Sequence, residues 1–194
     1  MDKNEVEFTR LDQAKKSDFD VIFPNLREQH ATLPDRVLSY LLGLKGPKLG
    51  LKIDRLEHSL QTATRAYKDN ASDEKILCAL LHDIGDSLAP DNHGAFAAEI
   101  LKPFVSDENY NIVKYHPEFQ GYFFFDKIGE NPNIRDRHKG KDWFSAAHDF
   151  CELWDMPAFD PKYKSKPLEF FVPIVKKIFS GNPTHNGFDI EIKD

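Results

Sequence analysis

The 194-residue chain has few cysteines and no long apolar run. Its two cysteines, Cys78 and Cys151, lie in apolar helical patterns, so we expect buried, reduced thiols rather than a disulfide framework. No stretch approaches the ~18 consecutive apolar residues that a membrane span requires. The first thirty residues are acidic and do not resemble a signal peptide. We therefore expect a cytoplasmic protein without a membrane partner.

Negative charges outnumber positive ones. Lys and Arg number 26 against 32 Asp and Glu, which gives a formal net charge of -6. This balance repels a phosphate backbone and argues against nucleic acid as a partner. An apolar fraction of 40% and a mean hydropathy of -0.55 are typical of a water-soluble globular protein.

No repeat, low-complexity tract or linker interrupts the chain, and its length suits one hydrophobic core. We therefore predict a single domain over residues 1–194, with a core of about residues 33–180, an N-terminal extension and a polar C-terminal tail. The sequence does not indicate an oligomeric state.

The spacing of apolar residues predicts an all-α protein. Apolar positions recur every three or four residues, and alternating runs are scarce. Helix start and stop signals, including caps at Ser72 and Ser106, delimit the elements. Residues 121–140 break the pattern and are predicted to form a long surface loop. The predicted helices span residues 33–44, 51–67, 73–84, 93–102, 107–116, 142–155 and 168–179.

The adjacent pair His82 and Asp83 ends the most apolar of these helices. A buried carboxylate beside an imidazole needs a partner, and a metal ion is one such partner. Neighbouring helical residues diverge by ~100°, so the pair fits best if Asp83 lies between two ions and His82 binds one of them. The alternative is that both residues merely cap the helix end near Gly85.

Three more histidines accompany this pair. His58 lies on a polar stripe with Gln61, Thr62 and Arg65, while His93 begins one predicted helix and His116 ends the next. Each one alone is more often a satisfied or exposed histidine than a metal ligand. Helices that pack around one core bring such positions together, which favours a shared site.

A closing carboxylate is expected from residues 142–155. At 100° per residue, Asp155 borders the apolar face of this helix, whereas Asp149 faces water. A capping or solvated role for Asp155 is the alternative, and His148 is a weak substitute ligand. We expect surface positions for His30, His138 and His185.

Several sequence strings carry a resemblance that covers roughly residues 33–180. Five strings are similar to motifs of the HD-domain superfamily: HSLQTAT, LLHDIGD, HGAFAAEILKPF, IVKYHPEF and LWDMP. The histidine of LLHDIGD, His82, follows His58 by 24 residues. The chain most resembles its mixed-valent di-iron oxygenase branch, typified by myo-inositol oxygenase and the hydroxyphosphonate-cleaving HD oxygenases. The resemblance implies a helical bundle around a buried site. One metal would take His58, His82, Asp83 and Asp155, and the other Asp83, His93 and His116, with Asp83 as the bridge.

The same resemblance implies a reaction. An oxygenase of this branch binds O2 on one iron and a hydroxylated small molecule on the other, then cleaves a C–C or C–P bond. Catalytic roles would fall to Asp83, His116 and Asp86. Two iron ions are expected, with manganese, zinc or magnesium as alternatives. The rival functions are an HD-type phosphohydrolase acting on a nucleotide or small phosphate ester, and a scaffold or sensor without turnover.

Asp86 departs from that pattern, because the related oxygenases have a basic residue or histidine at this position. A carboxylate there argues against an anionic substrate and suits a hydroxyl or ammonium group; a solvent-facing turn residue is the alternative. Lys114, Arg135 and Arg137 are expected to form an exposed basic face.

Overall fold

The computed structural model describes residues 5–181, and all regular elements among them are helical, which confirms the all-α prediction. The polar tail and His185 lie outside the described residues. Short 3-10 helices cover Leu11–Gln13, Pro90–Asn92, Phe125–Ile128 and Ile134–His138. Within the described range the longer elements are α1 (Lys16–Ala31), α2 (Leu33–Leu42), α3 (Arg55–Lys68), α4 (Asp73–Leu81), α5 (His93–Leu101), α6 (Asp107–Gly121), α7 (Phe144–Asp149), a π-helix (Phe150–Asp155) and α8 (Leu168–Phe179).

Helix α4 lies at the centre of the bundle. It packs against α3, α6 and α8, and its residues Ile76–Leu81 are almost fully buried. Ser72 begins this helix by accepting a hydrogen bond from the backbone N–H of Lys75, and Ser106 caps α6 in the same way. Both cysteines are free and buried. Among the described residues, no helix combines the length and apolar character needed to cross a membrane.

Helix α6 is longer than predicted, because it continues through Pro117 to Gly121 instead of closing at His116. A proline lacks the N–H that would bond the carbonyl four residues earlier, which here belongs to Val113. The Nδ1 of His116 lies 2.7 Å from that carbonyl oxygen and donates to it in place of the missing backbone group. The imidazole thus satisfies the carbonyl that the proline leaves free. Helix α1 was not predicted at all.

The segment 121–140 is not a plain surface loop. It buries Arg135 and His138, which corrects the expected exposed positions of both side chains. The Arg135 guanidinium lies 3.4 Å from the centre of the Tyr122 ring, and its Nη1 donates to Nδ1 of His148 over 2.7 Å. The Nε2 of His138 lies 3.0 Å from a carboxylate oxygen of Glu118. Aromatic and charged partners distant in sequence therefore bury these two side chains.

The predicted helix over 142–155 is divided. Regular α-helix ends at Asp149, and Phe150–Asp155 continues as a π-helix. The backbone N–H of Met156 accordingly bonds the carbonyl of Cys151, five residues back, over 2.8 Å. Such wide turns often occur at functional sites. This one ends at Asp155.

Gly85 allows the turn after α4 to touch α5. A Cβ at this position would lie 2.8 Å from the carbonyl oxygen and 2.9 Å from the Cα of His93. We expect Gly85→Ala to displace the start of α5 and lower the free energy of unfolding by about 1–3 kcal/mol. Chemical denaturation measures this loss. Gly46→Ala is the control, because nothing lies within 4 Å of its added Cβ; equal stability of the two variants would contradict the prediction.

Candidate metal centre

Five elements of the bundle bring six predicted ligands together. The six ligands are His58 on α3, His82 and Asp83 in the turn that ends α4, His93 on α5, His116 on α6 and Asp155 at the end of the π-helix. Every one except His93 is at most 4% exposed, whereas the His93 side chain is 21% exposed. The cluster is therefore closed on all sides except near the start of α5.

Four of these side chains form an inner group. The Nε2 of His58 lies 3.1 Å from Nε2 of His82 and 3.1 Å from Oδ1 of Asp155. The Oδ2 of Asp83 lies 3.4 Å from the first imidazole and 3.5 Å from the second. His82 Nε2 and Asp155 Oδ1 are 3.6 Å apart.

Three side chains form an outer group. The Nε2 atoms of His93 and His116 are 3.3 Å apart. The Oδ1 of Asp83 lies 3.2 Å from His116 Nε2 and 3.5 Å from His93 Nε2. Asp83 therefore presents one carboxylate oxygen to each group, which is the position required of a bridging ligand.

The hydrogen bonds of the imidazoles fix their tautomers. Each Nδ1 faces a backbone carbonyl oxygen, which only accepts, so each Nδ1 carries a hydrogen and the neutral ring has its lone pair on Nε2. In three of the four cases the carbonyl belongs to the residue three positions earlier. The distances are 3.0 Å from His58 to Ala158, 2.9 Å from His82 to Ala79, 3.1 Å from His93 to Pro90 and 2.7 Å from His116 to Val113.

In the neutral rings, four lone pairs thus converge in two pairs. Two lone pairs at about hydrogen-bond distance repel unless a proton or a metal ion lies between them. Ligand atoms about 2.1 Å from one ion, at tetrahedral or octahedral angles, are roughly 3.0–3.4 Å apart. The inner distances of 3.1–3.6 Å and the outer distances of 3.2–3.5 Å lie within this range or slightly above it. The residues present therefore fit two metal ions.

Further contacts hold the inner group in place. The ring of Phe159 stacks on His58 with centroids 4.4 Å apart, and Phe150 meets His82 edge-on. The polar stripe of α3 lies under the loop after the π-helix, where Gln61 donates to the carbonyl of Asp160 and Arg65 to that of Pro157. This loop and the two rings exclude water from the inner side.

Asp86 and Arg55 lie at the open side. The Nε of Arg55 is 2.6 Å from Oδ2 of Asp86, and its Nη1 is 3.6 Å from Oδ2 of Asp83. The other Asp86 oxygen lies 3.4 Å from Nδ1 of His93. Asp86 is thus not a solvent-facing turn residue, because its side chain is only 12% exposed. Arg55 also offsets its charge, which weakens the sequence-based argument against an anionic substrate.

The ion-free cluster has strongly shifted pKa values. Burial would raise the pKa of Asp83, but the imidazoles of His82, His116 and His58 hold it well below its usual range. Burial would also raise the pKa of Asp155, but His58 and His82 lower it. Burial would lower the pKa of His82, yet Asp83 and Asp155 raise it to about 9. For His116, burial prevails and lowers the pKa.

These shifts predict proton release when metal binds. Near pH 7 the ion-free His82 holds an extra proton, because its pKa is about 9, and an inner ion must displace that proton. We expect about one proton released per inner ion near pH 7 and progressively less above pH 9. Calorimetric titrations in buffers of different ionisation enthalpy measure this number. A binding heat that does not depend on the buffer would contradict the prediction.

The sequence patterns did not identify two residues that lie at the site. Arg55 precedes His58 by three residues, and Gln120 follows His116 by four, so each shares a helix face with a predicted ligand. Gln120 donates to both oxygens of Asp155. That spacing was a usable signal. His148, the substitute ligand, lies instead beside Arg135 and Glu152.

Comparison with known families gives a match over part of the chain. Residues 55–141 match the HD domain family. The match supports an HD-domain assignment, and HD domains are generally metal-dependent enzymes that bind divalent ions. It includes five of the six predicted ligands but ends before Asp155, and it gives no support to the di-iron oxygenase branch in particular. No match was found among curated proteins.

Proposed function

We propose that this protein is a dinuclear metalloenzyme that cleaves a small hydroxylated substrate with O2. The division of the site into two groups joined by the two oxygens of Asp83 supports the dinuclear part of this proposal. The choice of O2 chemistry rests on the resemblance of the sequence motifs to HD oxygenases. An alcohol, amino alcohol or hydroxyphosphonate is the substrate class that the resemblance to HD oxygenases favours.

The ligand atoms of the site favour iron or manganese as the bound ions. Four imidazoles and two carboxylates suit iron or manganese, and zinc or magnesium less specifically. When bound, the ions would lower the pKa of a substrate hydroxyl and exchange electrons with O2.

Side chains around the two groups would exclude water and orient the substrate. Phe159 and Phe150 keep water from the inner group, so the substrate approaches from the side of His93. Asp86 holds Arg55 over this opening and orients the ring of His93. In this arrangement a substrate that reaches the outer group meets one guanidinium and one carboxylate.

A phosphohydrolase is the second candidate. The HD domain match favours it, because this assignment points to metal-dependent hydrolases, and Arg55 offers a phosphate ester a cation beside the outer group. The same two ion positions serve both reactions, so the ligand set does not discriminate between them.

Oxygen uptake and phosphate release separate the two candidates. The protein is loaded anaerobically with Fe2+, its ion content is counted, and partial oxidation is followed by electron spin resonance. We expect two ions per chain, a mixed-valent signal, and O2 consumption with polyols, amino alcohols or hydroxyphosphonates. Phosphate release from mononucleotides without O2 consumption would favour the hydrolase. Two bound ions with neither activity would leave a metal-stabilised sensor or scaffold.

A further inference from the structure

Gln120 holds both oxygens of Asp155. Its Nε2 lies 2.9 Å from Oδ2 and 3.0 Å from Oδ1 of that carboxylate. Gln120 lies on α6 one turn after His116, whereas Asp155 ends the π-helix. The contact therefore joins two elements that are distant in sequence.

The two oxygens of Asp155 differ in their surroundings. Oδ1 faces His58 at 3.1 Å and His82 at 3.6 Å, inside the inner group. Oδ2 receives the shorter hydrogen bond from Gln120. Asp155 is fully buried, so each oxygen needs a partner, and the Gln120 amide supplies one to both.

We infer that Gln120 is a positioning residue for the inner ion. Its amide fixes the plane of the Asp155 carboxylate, so that Oδ1 is presented beside His58 and His82 while Oδ2 stays bound to the amide. This inference rests on the proposed function only in assuming that the inner group binds an ion. Groups that hydrogen-bond a metal ligand typically change metal affinity by 10–100-fold.

Helix α6 consequently serves both ion positions. His116 belongs to the outer group, and Gln120, one turn later, acts on the inner group through Asp155. Loss of the Gln120 amide should therefore weaken the inner ion and leave His116 with its carbonyl partner Val113 and its contact to Asp83. The inference predicts unequal damage at the two positions.

Co2+ titration of the full chain tests this inference. Gln120→Met removes the amide at similar length, and Gln120→Asn keeps an amide but withdraws it by one methylene. We expect both variants to bind the inner Co2+ about 10–100-fold more weakly, with a changed visible spectrum, and the outer Co2+ as the parent does. Asn109→Leu is the control, because Asn109 is a buried amide of the same helix that donates to Glu74 and contacts no predicted ligand.

The outcomes separate this inference from the proposed function. Suppose that the parent binds two Co2+, and that both Gln120 variants keep its spectrum and its affinities within about twofold. The positioning role of Gln120 is then wrong, while the proposed two-ion site is retained. The same result accompanied by a lowered unfolding midpoint of the ion-free variants would assign Gln120 a purely structural role. If the parent binds no Co2+, both the inference and the proposed function fail.

Discussion

Replacement of Asp83 by alanine is expected to weaken metal binding at both positions. Asp83 gives one oxygen to the inner group and the other to the outer group, so its replacement removes a ligand atom from both groups. We expect each affinity to fall by more than about 100-fold, since loss of an outer-shell partner alone costs 10–100-fold. Metal analysis after dialysis and titration with Fe2+ or Co2+ measure the loss.

The Asp83→Ala variant should also lose stability in the presence of metal. Ion binding to the folded chain contributes to its stability, and this contribution disappears when the ions no longer bind. A thermal unfolding midpoint that rises with added metal in the parent should not rise in the variant. Full occupancy of both positions in Asp83→Ala would refute its bridging role.

Replacement of Asp155 by alanine is expected to remove the inner ion selectively. Its Oδ1 contacts His58 and His82, whereas the outer group consists of Asp83, His93 and His116. We expect one ion per chain instead of two, with the inner affinity reduced by more than about 100-fold. Ion counting and the Co2+ spectrum distinguish this result from the loss of both ions in Asp83→Ala.

Asp149→Ala is the matched control for Asp155→Ala. Asp149 lies one residue before the π-helix and is exposed, so its removal should leave both ions bound. Loss of metal in Asp149→Ala with retention in Asp155→Ala would overturn the assignment of the closing carboxylate.

The location of Asp155 shows what periodicity achieves and where it stops. A uniform 100° per residue placed Asp155 at the border of the buried face and Asp149 in water, and the structure buries Asp155 completely while Asp149 is exposed. The pattern did not reveal the π-helix that brings Asp155 to the end of a wide turn. A wide turn depends on what packs around the helix, and apolar spacing does not encode it.

For Arg135, the prediction from the sequence was wrong. Its sequence context of charged and turn-forming residues predicts exposure, since an isolated arginine is rarely buried. The ring of Tyr122 and the imidazole of His148 nevertheless enclose it. Burial of a charged side chain depends on partners from other elements, and a window of neighbouring residues does not contain them.

The sequence by itself determined the helical class, the central apolar helix and the chemical identity of the donors, because spacing, caps and residue type are local properties. Only the tertiary structure decided that the two oxygens of Asp83 face different imidazole pairs. It also decided that backbone carbonyls fix the imidazole tautomers and that Arg55 and Gln120 join the site. Those relations are distances between side chains of different helices, and they exist only once packing of the apolar faces has set the positions of the helices.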